Sequence, residues 1–232
     1  MNPDDYEFSV ASVTNRRAGA SYEATTAYPI LDIRPQDTKS TEFFGKVWAK
    51  CANVVRDYSS GLKQPVPGWC HWDVARWAKE PLAAGQLRFS AWEGDAMAGF
   101  LNLRVPFGSQ IDSSLNVVYI EHVATAPGHL SVPIWGRRLH GVGKALIAFA
   151  VLTSYQLGNE GRVALHAADD EASGFYDALN SGYQERLFPC RKTGVAGPIR
   201  PNQPNTPGLD KVYFEADGVV AAEFLAGYRS DG

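Results

Sequence analysis

The chain has 232 residues, 45% of them hydrophobic, with 11 Phe, 10 Tyr and 6 Trp, enough for a packed core and against a disordered chain. Lys and Arg number 22 against 25 Asp and Glu, and the formal charge of −3 excludes a nucleic-acid protein that relies on a global positive field. The longest near-continuous apolar run, Ala145–Leu152, is far shorter than the roughly twenty residues of a membrane helix.

Residues 1–27 are rich in Ser, Thr, Ala and Asn, and Tyr6–Val13 is a candidate for one short extra strand. The opening MNPDDYEFSV lacks the basic-then-apolar order of a secretory signal. Tyr28–Arg34 alternates as a strand that Pro35 stops. Within Ser40–Tyr58, Phe43, Val47, Cys51 and Val54 recur at steps of three and four, the spacing of an amphipathic helix. A turn-rich gap leads to a second helix, Trp69–Leu82. Cys70, His71 and Asp73 lie close together there, but neighbours at i and i+1 do not face each other on a helix. No second ligand pair with zinc-like spacing exists, so no metal is expected.

From Gln86 the pattern becomes that of a sheet. Leu87–Trp92 and Ala96–Val105 read as a hairpin around Glu93-Gly94-Asp95. Asn116–Ala124, NVVYIEHVA, is dense in β-branched and aromatic residues, and Pro127-Gly128 ends it. After a loop to Arg138, Gly143–Leu157 is a helix apolar on nearly all sides, hence buried, with Gly158 as its C-cap. Arg162–Ala167 is a strand and Glu171–Leu179 a helix, and Gly182–Phe188 returns to strand. The four prolines of residues 194–209 make a loop, Lys211–Glu215 a closing strand and Val219–Tyr228 a terminal helix. Cys51, Cys70 and Cys190, odd in number and widely spaced, fit reduced thiols and a cytoplasmic location better than a disulfide framework.

The sharpest local feature is Arg138-Leu139-His140-Gly141-Val142-Gly143-Lys144, between a strand and the buried helix. The first amides of a helix have no internal partner and carry the positive end of its dipole. Glycines let a ligand approach that backbone, and Arg138 and Lys144 add charge, so a phosphate or pyrophosphate is expected at residues 138–144. The bland alternative is that two glycines only let a helix start close to a sheet. The run is not a Walker A loop, because Ala145 follows Gly143-Lys144.

In this order of elements the chain resembles the GNAT superfamily of acyl-CoA-dependent N-acyltransferases. Arg138–Gly143 matches the family's [QR]xxGx[GA] motif, and Ala172–Tyr176 with Gly182-Tyr183 matches its later AxxFY…GF pattern, Tyr standing for Phe. The resemblance covers about residues 86–190 closely and Tyr28–Leu82 loosely. It implies an α/β (α+β) GNAT fold, a mixed and mostly antiparallel twisted sheet flanked by helices. Residues 28–215 would form the acyltransferase domain, residues 1–27 an N-terminal extension and residues 216–232 a C-terminal helical tail. Residues 128–137 lengthen a connection that is usually short in the family, and Asp169 stands where an Asn is frequent.

The activity implied is transfer of an acetyl group from acetyl-CoA to a primary amine by direct attack. The resemblance places the pyrophosphate on Gly141, Val142, Gly143 and Lys144 beside Arg138, and the pantetheine arm along His122, Val123 and Ala124. It makes Glu121 the leading proton acceptor. The competing readings for Glu121 are a solvent-facing carboxylate or one paired with an Arg. Strand alternation sets His122 on the opposite face unless a bulge intervenes, so it stands in reserve. His166 reads as a packed, hydrogen-bonded core residue. Tyr176 takes the place of the family's general acid, early in its helix. Its competing role is a structural ring beneath the cofactor whose hydroxyl only orders water. The expected partners are acyl-CoA and an amine-bearing acceptor, with no membrane and no nucleic acid, and a homodimer is a family-level expectation. A GNAT-fold module that binds or senses acyl-CoA without turnover is the alternative function.

Overall fold

The computed structural model describes residues 6–9, 11–18, 21–27, 29–61, 79–126, 137–167, 170–179, 186–194 and 212–228. The chain divides into two compact units. One comprises Phe8–Asn102 and His122–Leu146; the other comprises Leu103–Glu121 and Ile147–Gly232 with Met1–Glu7.

Ten strands are described: β1 (Ala11–Ala18), β2 (Ser21–Ala27), β3 (Asp32–Pro35), β4 (Gln86–Glu93), β5 (Ala96–Gly108), β6 (Asn116–Thr125), β7 (Arg137–His140), β8 (Val163–His166), β9 (Cys190–Lys192) and β10 (Tyr213–Ala216). The helices are α1 (Thr38–Phe43), a π-helical turn (Phe44–Trp48), α2 (Ala49–Gly61), α3 (Val142–Gln156), α4 (Asp170–Ala178) and α5 (Gly218–Ala226). Seven strands form a sheet in the order β3-β4-β5-β6-β8-β10-β9, and a second sheet has the order β2-β1-β7. The pairs β3/β4, β8/β10 and β9/β10 are antiparallel, whereas β6/β8 is parallel. The mixed, mostly antiparallel sheet with flanking helices expected from the sequence is therefore present.

In the first unit, Asp37 starts α1 with a capping box, accepting from the Ser40 amide while the Ser40 hydroxyl lies 3.4 Å from the Asp37 amide. The π turn follows, closed by the Ala49 amide on the Phe44 carbonyl. Phe44 and Trp48 pack into a core with Trp92, Met97, Phe100, Ala124 and Ala126. Full burial of one such large side chain is worth about 1.5–3 kcal/mol. In the second unit, Asp217 caps α5 through the amides of Val219 and Val220, and α5 buries Val220, Ala221, Phe224 and Leu225. Val117, Tyr119, Ala164 and Tyr213 form a core cluster there, with Phe107 against it.

Several expectations are corrected. Strand β1 pairs antiparallel with β2 and with β7, so the one short strand expected at Tyr6–Val13 gives way to a sheet. Arg138 belongs to β7 rather than to a loop. Strand β5 runs through Pro106 to Gly108 instead of ending at Val105, and β3 keeps Pro35 as its last residue. Among the described residues 186–188 there is only an isolated bridge, at Arg186, and the strand lies later, at Cys190–Lys192. Most of the helix expected at Trp69–Leu82, with Cys70, His71 and Asp73, lies outside the described residues, as do residues 128–136, Asp169, Gly182-Tyr183 and most of the proline-rich loop. No helix among the described residues is long and apolar enough to cross a membrane.

Candidate functional site

The residues expected to bind an anion have a specific local geometry. Strand β7 ends at His140, and Gly141 turns the chain with φ +93°, a conformation that L side chains rarely adopt. Helix α3 begins at once, its first bond running from the Ala145 amide to the Gly141 carbonyl at 2.9 Å. Helix geometry therefore leaves the amides of Gly141, Val142, Gly143 and Lys144 without partners inside the helix. Gly141 and His140 are exposed, and a Cβ built on Gly141 would meet nothing within 4 Å. The exposed turn and the positive end of the helix dipole suit an anionic oxygen group.

Gly99 on β5 brings this helix start close to the sheet. A Cβ there would lie 2.8 Å from Leu146 Cδ1, 2.9 Å from Val142 Cγ1 and 2.9 Å from the Ala124 carbonyl oxygen. The first turns of α3 and the end of β6 thus both crowd one residue that only glycine satisfies. Sequence reading did not single out Gly99, because nothing local marks it.

Strand β6 carries the other candidates. Its register with β8 runs Val118↔Val163, Tyr119↔Ala164 and Ile120↔Leu165, while β6 itself continues to Thr125. The Val118 amide donates to the Arg162 carbonyl on the β8 side, whereas the Ala126 amide donates to the Ala98 carbonyl on the β5 side. In a regular strand residues 118 and 126, of equal parity, would point their amides to one side. The alternation therefore slips by one between them, as in a β-bulge.

Side chains agree. Arg104 Nη2 donates to Glu121 Oε1 at 2.6 Å, and Asn102 Nδ2 lies 3.4 Å from His122 Nδ1. Asn102 and Arg104, two apart on β5, share a face, so the consecutive residues Glu121 and His122 both reach that face. The bulge is the exception under which alternation does not separate them. Glu121 is buried and His122 and Val123 are half-buried, with Ala124 in the core. The pairing of Glu121 with an Arg, one of the competing readings, is present. Arg104 went unnoticed in the sequence; a lone cation inside an apolar strand was the available signal.

Tyr176 is buried in α4, its ring against Phe175, Phe188 and Phe214 at centroid separations of 5.3, 6.0 and 5.6 Å. It stands two residues before the end of the helix, not early in it, so the helix start does not aim its hydroxyl. His166 is the packed, hydrogen-bonded residue expected: its Nδ1 lies 2.9 Å from the Tyr119 hydroxyl. Among the described residues no cluster of three or more His, Cys, Asp or Glu is gathered to hold a metal ion.

No family model and no curated protein matches the chain. Among solved structures, the chain is similar to the PaiA N-acetyltransferase of Thermoplasma acidophilum in complex with coenzyme A. The identity is 14% over 80% of this chain and 98% of that one, with a TM-score of 0.44. It is also similar to an acetyltransferase from Streptococcus agalactiae, at 12% identity over 80% and 97% of the two chains and a TM-score of 0.42. For an acetyltransferase from Thermus thermophilus the values are 13%, 80% and 95%, and 0.39.

Proposed function

We propose that the chain is a GNAT-type N-acetyltransferase that carries an acetyl group from acetyl-CoA to a primary amine. The observation that carries this reading is the β7–Gly141–α3 junction, where the [QR]xxGx[GA] residues Arg138–Gly143 run from the end of a strand through an exposed glycine of positive φ into the first turn of a helix.

On this reading the pyrophosphate sits on the amides of Gly141, Val142, Gly143 and Lys144, with Arg138 beside them. The pantetheine arm runs along His122, Val123 and Ala124, at the end of β6 beyond its register with β8. The cofactor supplies the activated acyl group, and the chain supplies positioning and proton handling. Glu121 meets the acceptor amine and, directly or through a water, takes its proton. An ammonium has no lone pair for attack, so this step is required near neutral pH. Tyr176 returns a proton to the thiolate that leaves; the aromatic rings around it support this role by holding its phenol in one orientation.

Calorimetry with acetyl-CoA and with desulfo-CoA tests the cradle, and release of free thiol in the presence of an amine panel tests transfer. Binding with thiol release is the expected result. Absence of heat with either ligand overturns the reading, and binding without thiol release for any amine assigns the chain to acyl-CoA sensing. Tyr176→Phe is expected to lower turnover with little change in acetyl-CoA affinity.

A further inference from the structure

Arg104 and Glu121 stand side by side on the neighbouring strands β5 and β6 of the second unit, and the pair is lopsided. The Glu121 side chain is 2% exposed and the Arg104 side chain 28% exposed. Arg104 Nη2 donates to Glu121 Oε1 at 2.6 Å, and this is the only hydrogen bond of the guanidinium among the described residues. None of its other donors is a buried atom lacking a partner, so Nε and Nη1 remain within reach of solvent.

A guanidinium carries five N–H donors in a planar fork that fits a carboxylate two bonds at a time. Glu121 takes one arm of that fork and leaves the rest. What an incoming molecule meets here is therefore the cationic half of the pair, with donors arranged for a planar anion.

That charge discriminates among acceptors. Before it yields a proton to Glu121 the acceptor is an ammonium, and a further positive charge arriving beside Arg104 is repelled. An acceptor with a carboxylate one carbon from its nitrogen reverses the balance. Its ammonium can lie against Glu121 while its carboxylate lies against the open edge of Arg104, and every charge then has an opposite neighbour. A polyamine, or an amine whose carboxyl is blocked, bears the repulsion with no return.

We propose that the acceptor is a free α-amino acid, held by its carboxylate on Arg104 while Glu121 receives the first ammonium proton. The inference rests on the acyl-transfer reading and names its substrate class. The nitrogen attacks the thioester carbon, so a C–N bond forms and the C–S bond breaks. The ammonium gives up two protons in all, the first to Glu121 before attack. One of the two leaves on the product thiol through Tyr176 and the other passes to solvent, and the carboxylate is unchanged.

Thiol release from acetyl-CoA tests this, with each of the common α-amino acids set against its own carboxamide and with spermidine. At least one amino acid should react with kcat/KM about 100-fold or more above its amide, because donors placed for a carboxylate are left unmatched by the amide. A carboxylate favours the protonated form of its neighbouring amine, so intrinsic reactivity runs the other way. Arg104→Lys keeps a charge beside Glu121 but loses the fork, and should cut that ratio about tenfold or more, chiefly through KM for the amino acid. A purely structural role would lower both substrates alike and leave the ratio in place. Circular dichroism checks that the variant folds. If it does not, the carboxylic acid lacking only the amine should compete with the amino acid in the wild-type chain, and absence of competition overturns the proposal. A wild-type ratio near one, a preference for spermidine, or an unchanged ratio in the folded variant also overturns it and leaves acyl transfer standing. Absence of thiol release with every amine removes the acyl-transfer reading, and the proposal with it.

Discussion

Arg104 Nη2 lies 2.6 Å from Glu121 Oε1, with the Glu121 side chain 2% exposed and the Arg104 side chain 28% exposed. A carboxylate so enclosed depends on its partner, and breaking a buried pair from one side typically costs about 3–5 kcal/mol, less where one partner reaches water. Arg104→Met is therefore expected to destabilise the chain by about 3 kcal/mol in urea unfolding. Adding Glu121→Gln should recover part of that loss; a double variant no more stable than the single one would show that the two side chains do not act as a pair.

Gly99 offers a test of how the helix start is held. In Gly99→Ala the new methyl would stand 2.9 Å from the Ala124 carbonyl, a backbone atom with little room to yield. Overpacking of this kind costs about 1–3 kcal/mol. Because Leu146 and Val142 of α3 must also retreat, acetyl-CoA affinity should fall along with the melting temperature. Calorimetry reads the first and thermal unfolding the second; loss of stability with unchanged affinity would separate Gly99 from the cradle.

Tyr213 carries a pH prediction. Burial, and then its hydrogen bond to Glu215, raises its phenol far above the ordinary tyrosine value near 10. The folded state keeps the proton where the unfolded state loses it. The associated stability is complete below about pH 10 and declines as pH rises further towards the folded value. Stability followed above pH 10 should therefore fall, and Tyr213→Phe should flatten the slope. Tyr228, also raised by burial, retains the remainder.

At α1, Asp37 accepts from the Ser40 amide at 2.8 Å, and that bond is the first cause holding its carboxyl below the usual range. Asp37→Ala should cost about 1 kcal/mol at neutral pH. Since the native value is lowered, the contribution is full above the ordinary aspartate range and is lost as pH falls through the folded value. Parallel unfolding of the two proteins should show the gap narrowing in acid. A constant gap would mean that the cap acts without its charge.

Local patterns carried far in this chain. The three- and four-residue spacing of Phe43, Val47, Cys51 and Val54 marked the α1–α2 segment as helical but not its buried face, since Val47 and Val54 are exposed and Phe44, Trp48, Ala52 and Val55 are buried. Uniform apolarity, by contrast, marked α3 as a buried helix. The turn at Gly94, with φ +58°, was legible because its conformation is decided within the turn itself. The pairing of β1 with β2 was not legible. Its residues are small and polar, and the strand that gives β1 a second partner, β7, is remote in sequence. The slip in β6 and the place of Tyr176 late in its helix escaped for the same reason: neither leaves a mark on composition or period.

Residues with strong intrinsic backbone preferences and regular apolar spacing settled, before any folding, where many of the helices and strands would arise and that a helix would follow the glycines at 141 and 143. Such properties depend only on neighbours within a turn or a strand. Which side chains meet was decided by packing: the Arg104 guanidinium on Glu121, the hydroxyl of Tyr119 on His166, and Gly99 beneath Leu146 all join segments separated along the chain. Pair contacts of this kind follow from register and close approach, which exist only once the sheet has formed and its helices have settled against it.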